Sequence, residues 1–130
     1  MAGNVSEKRE FIRVPFNTEV EIQAEGLTVR SGAGIDICMT GIRLAVENAV
    51  PPAGTTCGVK ITLAASEPRV VIEARGTVVR SDPGSLAVTF SELDLDSYHH
   101  LRQLILNNTD EPKRAEQEFF SHWGIRRPRT

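Results

Sequence analysis

Cysteine, histidine, aromatic residues and long apolar runs are all scarce in this chain. Two cysteines in 130 residues, Cys38 and Cys57, are too few for a disulfide framework and form no Cys-x-x-Cys pair. They read as free thiols in a reducing cytosol. Of the three histidines, His99 and His100 fall on a predicted helix and His122 in the tail, so no metal-ligand spacing emerges and no cofactor is expected. No segment approaches the roughly 20 apolar residues that span a bilayer, and Met1 to Glu10 lacks a signal-peptide run. The expectation is a cytoplasmic protein without membrane insertion. A net charge of −2 excludes the broad positive field of a general DNA or RNA binder. Any anion site must be built locally from clustered Arg and Lys. No catalytic dyad or phosphate-cradling glycine loop is present, and Cys38 has no histidine near it in sequence to generate a thiolate, so the chain does not read as an enzyme.

What is present points to a small β domain. A chain of this length can bury roughly two thirds of its unfolded surface in one core, and its Val, Ile, Thr and Gly favour strands. Phe16, Thr18, Val20 and Ile22 alternate with Asn17, Glu19, Glu21 and Gln23, the period of a half-buried strand. Alternation resumes at Leu27–Arg30, loosens over Ser31–Gly34, and returns at Ile35 and Ile37. Ile42–Val46 forms a further strand, so Asp36–Gly41 is expected to be the connection before it. Cys57, Val59, Ile61 and Leu63 share one face of the next strand. A long strand from Val70 to Arg80, with a bend at Gly76, pairs through Ser81-Asp82-Pro83-Gly84 with Leu86–Phe90. The period then changes to three or four at Leu95, Tyr98, Leu101, Leu104 and Ile105, an amphipathic helix capped by Asp94 or Ser91. About six strands and one terminal helix, without strand–helix alternation, imply an antiparallel barrel or folded sheet whose open end the helix can plug. A short second helix is expected from about Pro112 to His122, with proline in its first turn. Phe119, Phe120 and Trp123 in this tail serve either packing on the barrel or a partner surface.

Two features bear on function. The arm Glu7-Lys8-Arg9-Glu10-Phe11-Ile12-Arg13 sets three cations around a short apolar pair just before Val14-Pro15, and Asp36-Ile37-Cys38-Met39-Thr40-Gly41 places an acid, a thiol and a hydroxyl together. Arg9-x-x-x-Arg13 followed by Asp36-x-Cys38-x-x-Gly41, with the later Gly76-x-Val78-Val79-Arg80 strand, resembles the PilZ domain family of bacterial cyclic di-GMP receptors. The resemblance covers about Lys8 to Asn107. It implies a six-stranded antiparallel β-barrel with a C-terminal α-helix over 8–107, leaving 1–7 as a mobile N-terminus and 108–130 as a tail.

The ligand this resemblance implies, cyclic di-GMP, carries two phosphates and two guanines. Arg9 and Arg13 can donate paired hydrogen bonds to phosphate or to guanine O6 and N7, and can lie flat on a base. Asp36 can accept from the guanine N1–H and N2–H edge, which adenine lacks. Gly41 would permit a tight turn and close approach to the ligand. Cys38, a weaker hydrogen-bonding group, stands where the family pattern has serine, so affinity is expected to fall about 5- to 10-fold without being lost. Lys8 stands where a cation in related domains holds a stacked ligand dimer, leaving one or two ligands per site open. Arg80 either stacks on a guanine or is a solvated strand end. The reading is a receptor that folds its Lys8–Arg13 arm over the barrel on binding and signals to a protein effector in trans. The alternative is a divergent adaptor that binds only protein.

Overall fold

The computed structural model describes residues 11–16, 18–32, 35–47, 51–63 and 69–123, the last two of these, His122 and Trp123, by backbone alone. The expected mobile N-terminus 1–7, the cations Lys8 and Arg9, and the Trp123 side chain lie outside the described residues.

Alternating apolar positions build the sheet. Val20 and Ile22 of β2 (Glu19–Ala24), Cys57, Val59 and Ile61 of β6 (Thr56–Leu63), and Leu86, Val88 and Phe90 of β8 (Ser85–Leu93) all point into one core. Between them lie β3 (Leu27–Ser31), β4 (Asp36–Cys38), β5 (Gly41–Ala45) and β7 (Val70–Asp82), and β1 (Val14–Pro15) precedes them. All pairings are antiparallel, in the order β1-β4-β5-β8-β7-β6-β2-β3.

That order forces the sheet to curl. β1 and β2 stand six strand positions apart, about 29 Å in a flat sheet, yet Pro15 to Glu19 can span only about 14 Å. β3 and β4 are as far apart, and Ser31 to Asp36 reaches only about 18 Å. The edges therefore approach each other, and Ser31 Oγ at the end of β3 donates to the Ala45 carbonyl at the end of β5 at 2.7 Å. The result is a half-barrel.

The mainly β, antiparallel architecture closed by C-terminal helix is the expected one, with eight strands where six were counted. Asp36–Cys38, within the stretch expected to connect two strands, adds one of these, β4. Val14–Pro15 adds the other, paired with Ile37 and Asp36.

Helix α1 (Leu95–Asn108) begins at Asp94, whose Oδ1 accepts from Ser97 N at 2.7 Å. Ser97 in turn accepts through Oγ from Glu73 N at 2.9 Å, a donor that lies just past the end of the β7–β8 ladder. Leu101, Leu104 and Ile105 enter the barrel core, whereas Leu95, expected on that face, is 41% exposed in the first turn. Helix α2 (Pro112–Trp123) lies against α1 through Ala115 and Phe119, and the Phe119 ring meets Tyr98 edge-on at 5.8 Å. Removing the cap by Asp94→Ala is expected to lower unfolding free energy by about 1 kcal/mol in a urea titration. An unchanged midpoint would mean that the Ser97 docking alone fixes the helix start.

Candidate ligand-binding face

Alternation continues through the motif instead of breaking before it. Ile35, Ile37 and Met39 point inward and are buried, which sends Asp36, Cys38 and Thr40 to the outer face, half-buried. The expectation of an Asp36–Gly41 connection is therefore corrected. Asp36–Cys38 is strand β4, held between β1 and β5, and only Met39 and Thr40 turn. No described non-glycine residue has positive φ, so this two-residue hairpin turn does without the left-handed residues such turns usually require. What fixes it is the buried Met39 side chain together with the Thr40 carbonyl, which accepts from Phe90 N at 2.8 Å. Cys38 Sγ and Thr40 Oγ1 lie 3.3 Å apart on the outside.

The register places the remaining groups in two rows across the strands. Pro15, Asp36, Arg43, Ala87 and Arg80 form one, on β1, β4, β5, β8 and β7. Cys38, Gly41 and Thr89 form the next, and continuing the β1 register by one residue sets exposed Arg13 across from Cys38. The structure thus brings Arg13, Asp36, Cys38 and Gly41 together on one outer face.

Arg43 is a member of this face that the sequence reading did not single out. Its Nη2 contacts Asp36 Oδ2 at 3.3 Å, with both side chains substantially exposed. An exposed pair of this kind holds weakly, so a ligand edge can displace the guanidinium at little cost. A signal for Arg43 existed: a two-residue turn after Cys38 puts the residue seven beyond Asp36 directly opposite it.

Arg80 reaches the outer face because of a bulge. The register slips between Val78 and Arg80, leaving Val79 as the extra residue, 54% exposed, and turning Arg80 outward where strict alternation would turn it inward. It lies beyond Ala87, two strand spacings or about 10 Å from Arg43, with Asp82 Oδ2 at 3.8 Å from its Nε. It is not in contact with the Asp36–Arg43 pair.

Gly41 is buried and its φ is not positive, so no left-handed turn calls for glycine there. A Cβ at this position would meet the Val88 carbonyl oxygen at 2.4 Å and Thr89 Cα at 3.3 Å. Gly76, where a bend was expected, sits at a second register slip and would put its Cβ 2.4 Å from the Thr89 carbonyl oxygen on the other flank of β8.

The described part of the arm is docked. Phe11 and Ile12 lie half-buried against the core, and the Ile12 amide donates to Glu118 Oε1 at 2.9 Å. Residues 11–15, the α1–α2 junction at 108–111 and Arg114 border a groove of ≈640 Å³. Its charges are mixed, Arg13 and Arg114 against Asp110 and Glu111.

Cys38 is half-buried on this face, whereas Cys57 is in the core, where burial pushes its thiol pKa up. Iodoacetamide is therefore expected to alkylate Cys38 well before Cys57 in the folded protein, read by peptide mass spectrometry. Equal labelling would contradict the inward position of Cys57.

Residues 7–107 match the family model for the PilZ domain. The chain belongs to the PilZ domain family. Its fold is similar to that of the Bacillus subtilis inhibitor of motility (MotI/DgrA), with a TM-score of 0.62 at 22% identity over 76% of this chain and 50% of that one. The chain thus spans half the length of that structure. It is also similar to the PilZ domain of CeSA from a cellulose-synthesizing bacterium, with a TM-score of 0.53 at 16% identity over 74% of this chain and 96% of that one. At these identities the likeness is one of fold. No curated protein matches the sequence. PilZ domains are binding and adaptor modules and not enzymes. Among the described residues no helix is long and apolar enough to cross a membrane, and α2 lies beyond the residues matched by the family model.

Proposed function

We propose that this PilZ domain is a cyclic di-GMP receptor that passes its signal to a protein partner in trans. The observation that carries this reading is the placement of Asp36 and Cys38 outward on one strand, with Arg13 on the adjoining chain and Arg43 on the next strand. Asp36 accepts from a guanine N1–H and N2–H edge, and Arg13 with Arg9 donates to phosphate or to guanine O6 and N7. Lys8 adds positive charge to the same arm, and Arg80 can stack on a second base. Because Phe11 and Ile12 already lie against the core, the ligand-driven step involves Lys8 and Arg9 and not the folding of the whole arm. That step changes the charge and shape a partner would read.

The protein-only alternative draws support from one observation, Phe120, which is 78% exposed on α2 while neighbouring Phe119 is buried. Calorimetric titration separates the two readings. Saturable binding of cyclic di-GMP is expected, with Cys38→Ser as tight as wild type or tighter, because a hydroxyl restores the better donor and acceptor beside Thr40. Bound ligand should also shield Cys38 from iodoacetamide. If neither heat nor protection is seen at about 100 μM ligand, the receptor reading is lost and the adaptor reading takes its place.

A further inference from the structure

We infer that Glu118, on the helix beyond the family match, is a positioning residue for the ligand face: it holds the backbone that carries Arg13. The inference rests on the receptor reading. The two oxygens of its carboxylate are divided between two tasks. Oε2 faces Arg114 Nε at 3.3 Å, one turn back on the same helix, and Oε1 accepts from the Ile12 amide at 2.9 Å. The side chain is only 16% exposed, so the bond to the arm is shielded from competing water.

The helix that presents Glu118 is itself fixed. Ala115 and Phe119, four residues apart on one face, are both buried at 1% exposure, and the Phe119 ring stands edge-on to Tyr98 of α1. Arg114 also faces Glu111 Oε1 at 3.5 Å, so the cation that steers Glu118 is held from the N-terminal side of the helix as well. Helix α2 therefore cannot roll without leaving the core.

The consequence falls on Arg13. Immediately after it, Val14 is buried and paired with Ile37 in β1–β4. Immediately before it, Ile12 is tied to Glu118. The backbone of Arg13 is thus restrained on both sides while its side chain stays exposed. A guanidinium whose backbone is set before the ligand arrives loses less freedom on binding. Residues 106 apart in sequence cooperate in this, and one of them belongs to a helix that the family match does not reach.

Charge and position predict opposite signs here, which makes the role testable. Glu118 is an anion near a site for an anionic ligand, so its removal should tighten binding if only its charge matters. Glu118→Ala is instead expected to weaken cyclic di-GMP binding about 5- to 10-fold in calorimetry and to speed hydrogen exchange at the Ile12 amide. Glu118→Gln keeps an acceptor for that amide and drops the charge, so its affinity should equal or exceed wild type with Ile12 still protected. Tighter or unchanged binding by Glu118→Ala, while Asp36→Ala still weakens binding at least about tenfold, overturns the positioning role and leaves the receptor reading intact. Unprotected exchange at Ile12 in the wild type overturns it as well, whether or not the alanine variant folds. Failure of the wild type to bind overturns both.

Discussion

Asp36→Ala is expected to lower affinity for cyclic di-GMP by at least about tenfold while leaving folding stability nearly unchanged. A carboxylate that accepts two hydrogen bonds from one guanine edge supplies a charge-assisted pair, and each such bond contributes about 1.5–3 kcal/mol. Losing both exceeds the 1.4 kcal/mol or so of a tenfold change. The fold has little stake in this side chain, since Asp36 points outward from β4 and its partner in the structure is the exposed Arg43 guanidinium at 3.3 Å. An exposed pair contributes about 0–1 kcal/mol. Freed Arg43 attracts the ligand phosphates and offsets part of the loss, and Asp36→Asn, which drops the same charge but keeps the side chain's shape, is the matched variant. Its amide keeps one acceptor but sets an NH2 donor against the second guanine N–H, so the paired acceptance is lost as it is in alanine. Preference for cyclic di-GMP over its adenine counterpart should disappear in both variants. Calorimetry with both nucleotides, beside a urea titration, reads all of this. Retained affinity in a folded Asp36→Ala protein would mean that Asp36 does not read the guanine edge.

How much of this face is legible in the sequence depends on the range of the interaction involved. Local periodicity gives β2, β6, β8 and α1, narrows the cap to Asp94 or Ser91, and gives the buried position of Cys57 and the start of α2 at Pro112. The motif order gives Arg13, Asp36, Cys38 and Gly41, and the structure sets all four on one outer surface. Register is harder to read. β4 is three residues long, too short for alternation to announce it, and it exists because Met39 is buried at the turn that follows. The Asp36–Arg43 pair depends on that turn being two residues long. Arg80 faces outward because of the bulge at Val79, and Val-Val-Arg offers no sign of where an extra residue falls. Phe119 and Phe120 divide between core and solvent by helix phase alone. The bond from Ile12 to Glu118 joins the two ends of the described chain and has no local signature.

Gly41→Ala should give the largest loss of stability on this face, about 3 kcal/mol, out of the 5–15 kcal/mol typical of a domain. The new Cβ would sit 2.4 Å from the Val88 carbonyl oxygen, 3.3 Å from Thr89 Cα and 3.4 Å from the Val88 carbonyl carbon. These are backbone atoms of β8, which is laddered to β5 on one side and to β7 on the other, so they cannot swing aside as a flexible side chain would. Relief requires β5 to move away from β8, and the turn that frames Asp36 and Cys38 moves with it. The matched control is Gly58→Ala in β6, where a Cβ meets nothing within 4 Å and the backbone is not left-handed. That change should be neutral or stabilising by up to about 1 kcal/mol. A urea titration compares the two, and equal midpoints would show that β8 yields to a methyl group. The contrast ranks the motif residues as signs of function. Gly41 is accounted for by the sheet alone, so a protein of this fold can keep it and bind nothing. Asp36 is set outward where the sheet makes no demand for an acid, and the proposed guanine ligand would supply the reason for one.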